Sequence, residues 1–319
     1  MKLRLELLKL LEENRDCDLS GEWIGKRLGV SRNAVWKAMK SLQEDGYRIE
    51  AVRNRGYRLA PDSDALSAVG IAGAIRHPIK GLAIYLHREI DSTNNEAKRR
   101  IAAGEGGVSL TVAEGQTAGR GRQGKSFYSP EGSGIYMTLA MPTDLPFADA
   151  AWVTTAAAVA VFSAIRDTCG IETQIKWVND LYKDGKKVCG ILTEAISDLE
   201  TGRIHHLVIG IGLNWRTDAF PAELCEIATS LSPTGVSRNR MIGAIVDAVF
   251  DVFRQSNGDY LDLYRRHSMV LGKDITYIKN GEAHAAHALD IDENGGLLVE
   301  HPDGTRLTLQ SGEISLRLA

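Results

Sequence analysis

The segment that most constrains the fold is Gly119–Ser126, which reads Gly-Arg-Gly-Arg-Gln-Gly-Lys-Ser. This string satisfies both the P-loop pattern and the dinucleotide-binding glycine pattern. Each of these motifs needs a helix that begins at the loop, so that its N–H groups face phosphate. Pro130, Gly132 and Gly134 follow closely and exclude a regular helix there. The sequence therefore argues against both nucleotide-binding folds and leaves a mobile, glycine-rich basic loop.

The order of the elements after residue 80 predicts an α+β fold. Several strands follow one another without a helix between them, which favours a mostly antiparallel sheet. The predicted strands are Ala83–Leu86, Ser109–Ala113, Ile135–Ala140, Gln174–Val178, Gly190–Ala195 and Ile204–Gly212, and the predicted helices are Asn94–Ala102, Ala150–Thr168 and Arg240–Gln255.

The first 60 residues predict a winged helix-turn-helix. Leucines recur at helical spacing over residues 3–14, a short second helix follows, and Ser31 is placed to cap a third helix, Ser31–Leu42. Two short alternating runs, Tyr47–Val52 and Tyr57–Leu59, flank a basic turn with a glycine and predict a hairpin. We therefore predict a DNA-binding domain over 1–62, a linker over 63–80, a central domain over 81–270 and a small β-barrel over 271–319.

Composition narrows the class of protein. The 319 residues are 44% hydrophobic and 25% charged, which excludes a disordered chain, and their net charge is −3. Residues 1–60 nevertheless carry 13 Lys and Arg against 9 Asp and Glu, so a basic head precedes an acidic body. The four cysteines show no metal-binding spacing, which predicts reduced thiols. The most apolar run, Ala148–Ile165, holds polar residues, so we expect a buried helix, a cytoplasmic protein and no membrane partner.

Four polar segments could form a site, although each also has an ordinary explanation. Thr93 and Glu96 have the spacing of a helix capping box, and the arginines of the glycine-rich loop could simply be solvated. The lysines at the strand ends, Lys176 and Lys187, are usually solvated as well. The glycines of Gly210–Trp215 let a backbone approach a ligand closely.

Taken together, these segments resemble the biotin protein ligases, and most closely the bifunctional type that is also the repressor of the biotin operon. The resemblance covers nearly the whole chain. The segments that carry it are Asp91-Ser92-Thr93-Asn94, Gln116–Arg122, Lys176-Trp177-x-Asn179-Asp180, Lys187-x-x-Gly190-Ile191-Leu192, Gly212-x-Asn214 and Gly312–Arg317.

The resemblance implies a fold and a two-step reaction. The central mixed α/β domain would resemble the class II synthetases, and the C-terminal barrel would be SH3-like. Biotin and ATP, with Mg²⁺, would form biotinyl-5′-adenylate and pyrophosphate. A lysine amine of a biotin carboxyl carrier protein, a subunit of acetyl-CoA carboxylase, would then attack the adenylate and release AMP. No covalent enzyme intermediate is implied.

The resemblance also implies site residues, and we assign no protein side chain as a metal ligand. The catalytic residues would be Arg120, Arg122, Lys187 and Asp180, the last a candidate for orienting or deprotonating the acceptor lysine. Biotin would contact Ser92, Thr93, Asn94, Gln116, Arg120, Gly121, Arg122 and Lys187, and ATP would contact Arg122, Lys125, Lys176, Asn179 and Asn214.

The head would bind operator DNA. The expected DNA contacts are Ser31, Arg32, Asn33, Trp36, Lys37 and Lys40 on the third helix and Arg53 and Arg55 on the wing. Binding of the adenylate would favour a homodimer that spans a two-fold operator.

Three positions depart from the usual pattern of the family. Val178 replaces a proline, Lys125 replaces an arginine and Phe127 replaces a tryptophan. Two alternatives stay open, a ligand-sensing repressor without ligase activity and a lipoate-type ligase. The retention of Arg120, Arg122, Lys187 and Asp180 argues against the first, and the Gly-Arg-Gly-Arg loop with the fused head favours biotin over lipoate.

Overall fold

A computed structural model describes residues 2–15, 17–52, 55–60, 63–146, 152–198, 200–254, 259–279, 281–310 and 313–316. The chain divides into two compact units. The first unit comprises Met1–Ile79 and Thr234–Asp247, and the second comprises Lys80–Pro233 and Ala248–Ala319.

The first unit begins with three helices and a hairpin, as predicted for a winged helix-turn-helix. The elements are α1 (Lys2–Glu13), α2 (Gly21–Leu28), α3 (Arg32–Glu44), β1 (Ile49–Val52), β2 (Gly56–Leu59) and a further short helix, α4 (Ala68–Ala74). Ser31 caps α3 by accepting a hydrogen bond from the Ala34 N–H. Leu7, Ile24 and Met39 are buried in the core that the three helices share.

The second unit is built on a seven-stranded sheet. Its strands are β3 (Ala83–Ile90), β4 (Ser109–Gln116), β5 (Ile135–Pro146), β6 (Gln174–Lys176), β7 (Asp180–Lys183), β8 (Lys186–Asp198) and β9 (Arg203–Leu213), in the order β3-β4-β5-β9-β8-β7-β6. Strands β3 and β4 are parallel, and the other neighbouring pairs are antiparallel. This confirms the prediction of a mostly antiparallel sheet.

Four more helices follow in the chain: α5 (Thr93–Ala102), α6 (Trp152–Cys169), α7 (Arg238–Arg254) and α8 (Asp259–His267). Helix α5 packs against β4, β5 and β9, which fixes its N-terminus beside the ends of those strands. Eleven of the eighteen residues of α6 are buried, most of them alanines and valines, as predicted for a core helix. Residues 148–151 lie outside the described part of the chain. In the described residues, no helix combines the length and the apolar character needed to cross a membrane.

The C-terminal segment forms a five-stranded antiparallel sheet. Its strands are β10 (Asp274–Lys279), β11 (Glu282–Ile291), β12 (Leu297–Glu300), β13 (Arg306–Leu309) and β14 (Glu313–Leu316), in the order β13-β12-β11-β10-β14. The closed barrel that we predicted is not formed by the described residues, because the edge strands β13 and β14 do not pair there. The Trp177 side chain donates a hydrogen bond to the Gly295 carbonyl (2.9 Å) and links this sheet to the segment between β6 and β7.

Candidate active site

The second unit contains a cavity of about 470 Å³ at one end of the large sheet. The N-terminus of α5, the ends of β4 and β9, the β6–β7 turn and the start of β8 enclose it, together with the basic loop after β4. All the residues predicted to contact biotin or ATP, or to act in catalysis, lie on its wall: Ser92, Thr93, Asn94, Gln116, Arg120, Gly121, Arg122, Lys125, Lys176, Asn179, Asp180, Lys187 and Asn214.

The basic loop is a short hairpin. The Gly121 N–H donates to the Lys125 carbonyl (2.7 Å), and the Phe127 N–H donates to the Gly119 carbonyl (2.9 Å). Gln123 turns the chain with a φ of 55°, which is rare for a residue with a side chain. Residues 128–134 form no helix, so the exclusion of a P-loop and of a dinucleotide-binding turn is confirmed. The hairpin therefore presents its cations from a backbone held by hydrogen bonds.

The arginines of this hairpin have different surroundings. Arg122 points its Nη1 at the Asn179 side-chain oxygen (3.4 Å), and burial lowers the pKa of its guanidinium. Arginine nevertheless stays charged in proteins, so Arg122 is a partly desolvated cation. Arg120 is exposed and donates to the Asn95 side-chain oxygen (3.2 Å). Because a desolvated charge acts more strongly on a nearby anion than a solvated one, Arg122 is the stronger anchor for an anionic ligand.

An ion pair lies opposite the arginines. The Lys187 Nζ is 2.7 Å from the Asp180 Oδ1, and the two side chains are 31% and 20% exposed. The β7–β8 hairpin brings them together, with Asp180 paired in register with Gly190. The pair places a cation and a carboxylate on the same wall of the cavity.

The N-terminus of α5 is organised differently from the prediction. The capping box predicted from Thr93 to Glu96 is wrong, because Ser92 is the N-cap residue and Glu96 pairs with two arginines of its own helix. The Thr93 N–H instead donates to the Gln116 Oε1 (2.9 Å). The Gln116 side chain thus accepts a hydrogen bond from the first turn of α5, as a helix cap would. The side chains of Ser92 and Thr93 line the cavity.

Three strand glycines make room for the site. A Cβ on Gly210 would lie 2.1 Å from the Asn94 Oδ1, and a Cβ on Gly212 would lie 2.6 Å from the Phe127 ring. A Cβ on Gly190 would lie 3.1 Å from the Lys187 Nζ. A glycine inside a strand often marks such a close approach, so these positions are the sequence signal for the shape of the cavity.

An apolar wall was missed by the sequence analysis. Phe220, Leu224 and Ile227 line the cavity, and the Phe220 ring lies 6.3 Å from the ring of Tyr128. This segment has no strand or helix periodicity, so its apolar residues gave no signal in the sequence. Asn214 binds the same segment through its side-chain N–H, which donates to the Thr229 carbonyl (3.1 Å).

The first unit presents the predicted DNA contacts of the third helix on one face. Ser31, Arg32, Asn33, Trp36, Lys37 and Lys40 are all exposed. Trp36 is 50% exposed, which is unusual for a tryptophan, and the Lys40 Nζ lies 5.8 Å from its ring centre. On the wing, Arg55 pairs with Asp18 (2.7 Å), and Arg53 lies outside the described residues.

Three family models match successive parts of the chain. Residues 3–58 match an HTH domain, residues 86–214 match the biotin/lipoate A/B protein ligase family, and residues 270–317 match the biotin protein ligase C-terminal domain.

Curated relatives and solved structures match over longer stretches. The chain is 34% identical to the bifunctional ligase/repressor BirA of Bacillus subtilis over 98% of both chains. It is 29% identical to the Escherichia coli protein of the same name, over 94% of this chain and 93% of the relative. The biotin protein ligase of Aquifex aeolicus, solved with biotin and ATP, superposes with a TM-score of 0.60 at 25% identity and covers 76% of this chain and 100% of its own. The chain therefore belongs to the biotin protein ligases of the bifunctional ligase/repressor BirA type.

Proposed function

We propose that the cavity joins biotin to ATP as biotinyl-5′-adenylate, with release of pyrophosphate, and then transfers the biotinyl group to a lysine of a biotin carboxyl carrier protein. The observation that carries this proposal is the shape of one cavity, with a hydrogen-bonding end at α5 and a cationic end at Arg122 and Lys187. The A. aeolicus relative solved with biotin and ATP supports it.

The cationic end suits the first step. A carboxylate must approach the α-phosphate of ATP, and two anions repel each other. Fixed cations stabilise the charge that develops as the carboxylate oxygen attacks phosphorus and pyrophosphate leaves. We assign this role to Arg120, Arg122 and Lys187, and the contacts to the remaining phosphates to Lys125, Lys176 and Asn179.

The two ends of the adenylate would have separate sites. Ser92, Thr93 and Gln116 offer hydroxyl and amide groups to the ureido ring of biotin, and Gly121 lines the same cavity. At the other end, Asn214 and the apolar wall of Phe220, Leu224 and Ile227 would contact the adenine ring. A base with a π-face and polar edges suits an apolar wall that includes an amide.

Asp180 would act in the second step. In the described structure it pairs with Lys187. When Lys187 turns to the anionic adenylate, the Asp180 carboxylate becomes available to orient the incoming lysine and to accept its proton. The lysine nitrogen then attacks the acyl carbon, and AMP leaves with the electrons of the broken acyl–oxygen bond.

Mg²⁺ would enter the site with ATP and be held by its phosphate oxygens. The described residues contain no group of three His, Cys, Asp or Glu side chains that could hold a metal ion. Asp180 is already engaged with Lys187. In nucleotide sites Mg²⁺ is usually held by one or two carboxylates together with the substrate phosphates, so the reaction does not require a resident metal centre and no step is assigned to one.

The helix-turn-helix domain would bind operator DNA through the exposed face of α3. A recognition helix uses the polar residues near its N-terminus at base edges, and Arg32, Asn33 and Trp36 are exposed there. The head carries a modest net charge, so we propose that affinity depends on a homodimer formed when the adenylate binds. Two heads would then engage the two halves of an operator.

Exchange of labelled pyrophosphate into ATP tests the ligase proposal. We expect exchange that depends on biotin and does not occur with lipoate. Exchange with lipoate alone would favour a lipoate-type ligase. A protein that binds biotin and operator DNA but supports no exchange would be a ligand-sensing repressor, and either result would overturn the proposal.

A further inference from the structure

A chain of hydrogen bonds runs behind the polar end of the cavity. It begins at an ion pair in which the Lys98 Nζ lies 2.7 Å from one oxygen of Glu194. The Asn94 side-chain N–H donates to the other oxygen of Glu194 (2.8 Å). The Asn94 oxygen then lies 2.6 Å from the Thr138 hydroxyl, which is 2.8 Å from the hydroxyl of Thr93. Thr138 is completely buried, and Thr93 lines the cavity.

The carboxylate at the start of this chain fixes the orientation of the amide. Burial raises the pKa of the Glu194 carboxyl, but hydrogen bonds from Lys98 and Asn94 outweigh this effect and hold the pKa below its usual value. At neutral pH the Glu194 carboxylate can only accept hydrogen bonds. The amide nitrogen of Asn94 must therefore face Glu194, and its oxygen must face Thr138.

The same reasoning fixes the hydroxyl protons. The Asn94 oxygen cannot donate, so the proton in the 2.6 Å bond comes from Thr138. The Thr138 hydroxyl is also the donor to the Thr93 oxygen, and the Thr93 hydroxyl donates its own proton to the Gln116 oxygen at 3.2 Å. The Thr93 proton is therefore used within the protein, and the Thr93 oxygen can only accept a hydrogen bond from a ligand.

The orientation of the Gln116 amide is fixed by its own two hydrogen bonds. Its oxygen faces the backbone N–H of Thr93, because an N–H needs an acceptor (2.9 Å). Its nitrogen donates to the Ser129 hydroxyl (3.0 Å). The cavity wall therefore offers an acceptor at Thr93 and an amide NH₂ group at Gln116. A cyclic urea has N–H donors beside a carbonyl acceptor and matches both.

We propose that Thr138, Asn94 and Glu194 are positioning residues that fix Thr93 as a hydrogen-bond acceptor, and thereby make the site select acids whose far end carries an N–H donor. This inference rests on the proposed function and adds the residue that selects the acid substrate, Thr93. A ureido ring satisfies the Thr93 acceptor. The dithiolane ring of lipoate has no N–H, so it cannot donate the hydrogen bond that the Thr93 oxygen would accept from a ureido ring, and that loss is costly.

The surroundings of Asn94 hold its side chain in a single orientation. Its amide also donates to the Leu192 carbonyl (3.3 Å), so both ends of the side chain are bonded to protein. Only a glycine at position 210 leaves room for the Asn94 oxygen. Asn94 therefore positions its neighbour, while Thr93 meets the ligand.

A matched pair of substitutions tests the proposal. Thr138→Val removes the hydroxyl from the chain and keeps the shape of the side chain. Thr111→Val is the control, since Thr111 lies directly opposite Thr138 in the sheet, is equally buried, and has no hydrogen-bond partner for its hydroxyl among the described residues. The readouts are the Kd for biotin by calorimetry without ATP, and KM and kcat from pyrophosphate exchange.

We expect Thr138→Val to raise the Kd and KM for biotin about tenfold, the effect of one buried hydrogen bond in a binding site. The KM for ATP should stay within about twofold of wild type, as expected for a group at the biotin end only. Thr138→Ser should restore biotin affinity and Thr111→Val should not change it. An unchanged biotin Kd in folded Thr138→Val would overturn the proposal, as would an equal loss in Thr111→Val.

A second variant tests the charged end of the chain. Lys98 and Asn94 donate to different oxygens of Glu194, and Glu194→Gln replaces one of these acceptors with an NH₂ group that can only donate. We therefore expect Glu194→Gln to weaken biotin binding in the same direction as Thr138→Val, and the double variant to lose less than the product of the two effects. Independent, multiplicative losses would contradict a connected chain. Wild-type protein without biotin-dependent exchange would instead refute the proposed function.

Discussion

Lys187→Ala, at the cationic end of the site, should lower the rate of adenylate formation much more than it lowers the stability of the fold. The substitution removes one preorganised charge from the position where negative charge develops. Loss of a single such donor typically costs about 100-fold to 1,000-fold in rate, or about 2.7–4 kcal/mol of transition-state stabilisation. The Lys187–Asp180 pair is partly exposed, at 31% and 20%, so it stabilises the fold far less. Pairs of this kind contribute about 0–1 kcal/mol.

The assay compares the rate of biotin-dependent pyrophosphate exchange with the melting temperature of the same preparation. We expect an exchange rate at least about 100-fold lower, and a melting temperature lowered by no more than about 2–4 °C. Lys186→Ala is the matched control, because this neighbouring lysine binds the Cys225 carbonyl and Glu226 outside the cavity. Exchange by Lys187→Ala at the wild-type rate, or an equal loss in Lys186→Ala, would refute the role given to Lys187.

Three further predictions concern the rest of the site and the head. Gly210→Ala should weaken biotin binding and destabilise the fold by about 1–3 kcal/mol, because the added Cβ meets the Asn94 oxygen. Gly107→Ala is the control, since a Cβ there has open space, and a thermal melt with biotin titration should show no change in either property. Asp180→Asn should slow transfer from preformed adenylate to the carrier more than it slows pyrophosphate exchange, and the reverse order in single-turnover kinetics would remove it from the second step. Lys37→Ala should weaken operator binding in a mobility-shift assay and leave carrier biotinylation at the wild-type rate; unchanged DNA affinity would place the interface elsewhere.

Much of the fold could be predicted from local pattern. The caps, the helical leucines and the alternating hairpin of the head are signals between near neighbours in sequence, and the structure confirms them. The short strand β7 and helix α8 were not predicted. Strand β7 is only four residues long, and it forms because β6 and β8 lie on either side of it. The capping box failed because a distant side chain, Gln116, supplies the acceptor that a local cap would have supplied.

The residues predicted to contact biotin or ATP all line one cavity, because strand ends and a helix N-terminus converge there. Their arrangement within it could not be predicted in the same way. The ion pair of Lys187 with Asp180 and the bonding of Asn94 to Thr138 depend on sheet register, which the sequence pattern does not specify. The apolar wall at Phe220 and Leu224 lies in an irregular segment and has no periodic signal at all.

The central claim, that one cavity both makes and uses biotinyl adenylate, is tested most directly by a single-turnover chase. The protein is incubated with labelled biotin and Mg-ATP, separated from unbound ligand, and then given a biotin carboxyl carrier domain without further ATP. We predict that the protein retains a non-covalent label that is released on denaturation as biotinyl-5′-adenylate, and that the label passes to the carrier lysine as AMP forms. A label that stays covalently on the protein, or one that requires fresh ATP to reach the carrier, would contradict the account.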